Sequence, residues 1–111
     1  MVKVVIEKAL VKKLEKRFNR KELKELKTIF LSLQDNPYQG DIIYAFGHII
    51  LKEKRYKTFR FYFIHSKKLL IIKDAEQLKQ EIIRFIEMSK KNDQQRVIDR
   101  LKGMLGRLGG S

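Results

Sequence analysis

The chain predicts an α+β domain: an N-terminal helical hairpin packed on a four-stranded antiparallel sheet, followed by one or more C-terminal helices. Three observations lead there. Apolar residues recur at helical spacing from Lys8 to Leu33, four β-like runs with short connections occupy residues 41–73, and helical spacing returns before the C-terminus. At 111 residues a single domain over 1–108 is expected, with 109–111 as a flexible tail.

In chain order, Val2, Val4 and Ile6 alternate along a β-branched run and read as a first strand. The period then lengthens. Leu10, Val11, Leu14 and Phe18 fall on one helical face, and Asn19 followed by Glu22 forms the signature of a capping box that opens a second helix. That helix presents Leu23, Leu26, Ile29 or Phe30, and Leu33, and Asp35-Asn36-Pro37 ends it, because proline pushes the preceding residue out of the α region.

After Gly40 the strands are expected at Asp41 to Phe46, Ile49 to about Arg55, Thr58 to His65 and Leu69 to Lys73. Their connections, Gly47-His48, Tyr56-Lys57 and Ser66-Lys67-Lys68, are short enough to favour an antiparallel meander. Asp74 with Gln77 resembles another capping box, with Leu78, Ile82, Phe85 and Ile86 as a helical stripe, although 82–86 also reads as a last strand. Asn92 or Asp93 caps a final helix carrying Val97, Ile98, Leu101, Met104, Leu105 and Leu108.

Composition narrows function. The 26 Lys+Arg against 13 Asp+Glu give a formal charge of +13, concentrated in residues 1–27 and 52–73. Such a field attracts polyanions, and each neutralised phosphate adds affinity by releasing counterions. The competing reading is a solvated surface that keeps a small protein soluble. With no Cys and only two His, thiolate and Cys-based metal chemistry is excluded and no metal or cofactor is expected. Apolar runs fall far short of the roughly 18 residues that cross a bilayer, so no membrane association and a cytoplasmic location are expected. Abundant Lys, Glu and Arg without Cys or Trp also suits a thermophile.

Thr58 to His65 holds the richest pattern. Alternation puts Phe59, Phe61 and Phe63 on one face and Arg60, Tyr62 and Ile64 on the other, while Lys52 and Lys54 oppose Glu53 and Arg55 on the preceding strand. Cations beside an aromatic ring suit RNA, gripping phosphate while the ring stacks on an unpaired base. The alternative is a half-buried Tyr62 among ordinary solvated lysines.

The order of these elements, with Leu33-Gln34-Asp35-Asn36-Pro37-Tyr38-Gln39-Gly40 closing the hairpin and Phe59-Arg60 leading into Tyr62-Phe63-Ile64, resembles the RelE/ParE superfamily of toxins from toxin–antitoxin pairs. Met88 to Ile98, through Lys90-Lys91, is similar to a segment of its phage-type members. The resemblance implies a RelE-like fold and a metal-independent endoribonuclease that cuts mRNA on the ribosome, inhibits translation and is silenced by an acidic antitoxin.

It further implies Arg60 as phosphate clamp with Lys52, Lys54 and Arg55 as electrostatic helpers, and Lys90 and Lys91 as RNA contacts, to which Lys57 is added as a candidate; Tyr62, His65 or a residue beyond Ser89 would have to supply the remaining catalytic half. The sequence departs from that pattern at Lys73-Asp74-Ala75-Glu76, where cleaving members carry an Arg and a later Tyr or His. The other expectation is therefore a non-cleaving nucleic-acid-binding or gyrase-directed module. His65 shares the parity of Phe59, Phe61 and Phe63, so it faces away from Arg60 unless a bulge intervenes. His48 reads as a turn residue. Glu53, the sole carboxylate of the basic meander, reads as a base or a surface ion pair. The final helix packs on its own sheet, forms a homodimer, or receives the antitoxin.

Overall fold

A computed structural model describes residues 2–70 and 78–109. It contains β1 (Val2–Ile6), α1 (Lys8–Arg17), α2 (Arg20–Leu31), β2 (Asp41–Phe46), β3 (Ile49–Tyr56), β4 (Phe59–Leu70), β5 (Leu78–Lys90) and α3 (Gln94–Gly109), with 3₁₀ turns at Ser32–Gln34 and Lys91–Asp93. The hairpin forms as its caps dictate. Asn19 Oδ1 accepts from the Glu22 N–H at 2.8 Å, and Glu22 Oε1 accepts from the Asn19 N–H at 3.1 Å.

The sheet corrects the expectation of four antiparallel strands. It has five, in the order β1-β5-β4-β3-β2, and it is mixed, because β1 runs parallel to β5 while the remaining pairs are antiparallel. Two local readings fail together. The chain does not turn at 66–68, since β4 continues to Leu70, and residues 78–90 form the inner strand β5 rather than a helix, which agrees with the alternative reading of 82–86 as a strand. The proposed cap at Asp74 and the end of the Leu69 to Lys73 run, at 71–73, lie outside the described residues.

A bulge explains why β5 imitates a helix. Tyr62 pairs with Glu87 but Phe63 pairs with Phe85, leaving Ile86 as an extra residue. Ile83, Phe85 and Met88 therefore share a face although their spacing is two and then three. Broken parity mixed with apolar residues on both faces gives the three-and-four rhythm of a helix. Hydrogen-bonded neighbours on both sides then override local periodicity.

Helices cover both faces. The hairpin seals one with Leu10, Leu14, Phe18, Leu26, Phe30 and Leu33 against Tyr56, Phe61, Phe63, Ile83 and Phe85. Here Phe30 stacks on Phe85 at a centroid distance of 4.0 Å. On the other face α3 lays Val97, Ile98, Leu101 and Leu105 over Leu51 and Tyr62. Gly40, at φ +97°, closes the loop before β2. A Cβ there would stand 2.9 Å from Phe63 Cζ, so the left-handed turn and the close approach both call for glycine.

Candidate nucleic-acid interface

The register divides the expected site residues between two faces. Lys52 pairs with Phe63 and Lys54 with Phe61, whereas Glu53 pairs with Tyr62 and Arg55 with Arg60. Cross-strand partners share a face, so Lys52 and Lys54 lie on the hairpin side, and Arg60, Tyr62, Glu53 and Arg55 on the side of α3. They do not form one cationic surface.

On the hairpin side both lysines hold the loop that precedes β2. Lys52, 3% exposed, donates to the Pro37 carbonyl at 3.2 Å and lies 3.3 Å from His65 Nδ1. Lys54 donates to Gln39 Oε1 at 2.9 Å. The other nitrogen of His65 sits 3.1 Å from Glu81 Oε2. With both ring nitrogens engaged and the ring buried, His65 is a structural link between three strands rather than a base facing solvent. The β5 bulge leaves the parity of β4 intact, so His65 stays on the face opposite Arg60.

On the α3 side Arg60 is buried. Its Nε lies 3.0 Å from Glu53 Oε1, yet the contact is off the hydrogen-bond axis, leaving both of those atoms without a hydrogen bond. Glu53 Oε2 accepts from Gln94 Nε2 at 2.9 Å, which ties the first turn of α3 to this pair. Beside it the Tyr62 hydroxyl meets Ser89 Oγ at 2.8 Å. Burial raises the Tyr62 phenol above its ordinary value of 10.0, and the Ser89 bond offsets part of that rise. The guanidinium expected to clamp phosphate thus faces a carboxylate beneath a helix, in a low-dielectric setting where charge is costly without such a partner. Arg55 remains exposed, 3.6 Å from Glu53 Oε1.

The accessible cations gather elsewhere. A cleft of about 510 Å³ opens between α1 and the end of β5, lined by Lys13, Lys16, Arg17, Phe59, Met88, Ser89, Lys90, Asn92 and Asp93. A second concavity adjoins it at Lys90 and Asn92, lined also by Lys91 and by Thr58 of the β3–β4 turn. The expected RNA contacts Lys90 and Lys91 fall here, both exposed. Lys57 is exposed on that turn at φ 53° and pairs with Glu22 at 3.0 Å. Among the described residues no carboxylate pairs with Lys16, Arg17, Lys90 or Lys91. Lys13 is shared with Glu87, which also holds Arg100 of α3 around the open edge of β5.

Sequence reasoning passed over Lys13, Lys16 and Arg17, although their i, i+3, i+4 spacing already put them on one side of α1. It also read Phe59 purely as core, whereas this ring is only partly buried and lines the cleft. Among the described residues no three His, Asp or Glu side chains converge as metal ligands, and no helix is long and apolar enough to cross a membrane.

Comparison with known protein families, with curated proteins and with solved structures returns no match. No family is assigned on these grounds, and the likeness to RelE/ParE toxins stands on the motifs alone.

Proposed function

We propose that this protein is a cytoplasmic RNA-binding module, of the toxin-like kind its motifs suggest, that acts on ribosome-bound message by gripping the phosphate backbone through the cleft between α1 and β5. The observation carrying this reading is the convergence of Lys16 and Arg17 of α1 with Lys90 and Lys91 at the end of β5, two segments distant in sequence, on adjoining open concavities, with no carboxylate pairing them among the described residues. A solvated cationic surface needs no such convergence. An acidic protein partner is the complementary expectation, since the same charge excess that attracts RNA attracts an acidic inhibitor.

RNA cleavage is the second reading, and one observation favours it. Glu53, Arg60, Tyr62 and Ser89 bring a carboxylate, a guanidinium and a phenol together at one point of the sheet. Those groups suit the proton transfers and charge stabilisation of RNA transesterification, but they are buried, and Gln94 of the first turn of α3 is bonded to Glu53.

Binding of a labelled RNA, measured from 50 to 200 mM salt, tests the first reading. Replacing Lys16, Arg17 and Lys90 together by Ala should reduce the slope of log affinity against log salt by roughly 2 for a single strand. The same replacement of Lys8, Lys24 and Lys27 should leave it nearly unchanged. Equal effects from both sets would refute the cleft. Cut-site mapping on translated message with native protein and Arg60→Ala addresses the second reading: intact message with both removes cleavage.

A further inference from the structure

The floor of the cleft differs in chemistry from its rim. Phe59 and Met88 form an apolar base, and the Arg17 guanidinium stands over the Phe59 ring, 5.6 Å from its centroid. Phe18 braces that ring edge-on at 5.0 Å and 72°, so its position is fixed by the hairpin core. Lys13, Lys16 and Lys90 ring this stack. A surface that merely collects phosphates needs cations. It does not need a recessed aromatic ring with a guanidinium held over it.

We infer that the Arg17–Phe59 stack is a subsite for one unpaired nucleobase, so that the protein binds single-stranded nucleic acid in preference to duplex. The inference deepens the RNA-binding reading and rests on it. A guanidinium backed by an aromatic ring offers a delocalised plane on which an unstacked base settles, while the flanking phosphates reach Lys16 and Lys90. A duplex keeps its bases stacked inside and presents only backbone and groove edges, so it engages the rim and leaves the floor empty. Stacking tolerates any base, because each has a π face. The predicted preference is therefore for strandedness over sequence.

The test uses the full-length chain and a 12-residue RNA carrying 2-aminopurine at its centre, as a single strand, as a duplex and alongside free adenosine monophosphate. The single strand should bind on the order of ten-fold more tightly than the duplex at equal salt, with quenched 2-aminopurine emission. Arg17→Ala, at an exposed position, should remove most of the quenching and the strand preference, while Lys24→Ala changes neither. Because the chain contains no tryptophan, Phe59→Trp supplies a second signal, quenched by the single strand alone. Equal affinity for both forms with unquenched emission would overturn the stacking subsite yet leave backbone binding intact. Loss of all nucleic-acid binding at 50 mM salt would overturn both. Adenosine monophosphate binding as tightly as the oligomer would overturn the strand assignment in favour of a free-nucleotide pocket.

Discussion

The two faces of the sheet are made by the same strands yet are held by different physics. On the hairpin face Phe61, Phe63, Ile83 and Phe85 meet Phe30 and the leucines of α1 and α2, and the aromatic contacts are continuous. On the α3 face Leu51 and Tyr62 share the interior with Glu53, Arg60 and Ser89. The first face is stabilised by area removed from water, which needs little directional precision. The second depends on partnered charges, which stabilise only while each partner is present. The difference teaches that a polar alternation in a strand does not make a solvent surface. A helix arriving later in the chain can bury it.

Breaking the apolar face should have the largest effect. Phe61→Ala is expected to cost about 3–5 kcal/mol in urea unfolding, combining lost transfer energy with an unfilled cavity. A cost below about 1 kcal/mol would mean that this face is not the main stabilising one.

The polar face sharpens the contrast next. Glu53→Met alone leaves Arg60 buried without its carboxylate and should cost about 3 kcal/mol. The double variant Glu53→Met, Arg60→Met should return to within about 1 kcal/mol of the native chain, since two apolar side chains replace two desolvated charges. Simple additivity of the two single changes would show that the pair is not coupled.

The smallest expected effect lies in alkaline solution. Burial raises the Tyr62 phenol above 10.0 in the folded state, so its contribution is fully present below the unfolded value. It is lost as pH rises through the higher folded one. Stability should therefore fall more steeply above about pH 10 in the native chain than in Tyr62→Phe. Parallel curves would mean that the hydroxyl is not held in a desolvated site.

Much of the first half was legible in the sequence. Asn19 and Glu22 form the expected box, Leu10, Leu14, Leu26, Phe30 and Leu33 reach the core, and the alternation of Phe59 to Phe63 assigns β4 its faces. These are local rules, satisfied within a few residues. The strand β5 was legible only as the alternative to a helix over 82–86, because the bulge at Ile86 breaks the period that marks a strand. The joining of β1 to β5, which closes about eighty residues of intervening chain, was not legible. For the candidate site, Lys90 and Lys91 were readable as exposed cations in a basic segment. Their meeting with Lys16, Arg17 and Phe59 was not, since it depends on how α1 crosses the end of the sheet.

By itself the amino-acid sequence determined the charge excess, the spans of the hairpin and the parity that separates Arg60 from Phe59 and Phe61. Those properties follow from side-chain chemistry and from backbone periods of 3.6 and 2, which act between near neighbours. Tertiary structure alone decided which cations are spent inside and which remain exposed. Burial is set by what lands on a face. The landing of α3 over Arg60, and of α1 beside Phe59, is fixed by packing across the whole chain.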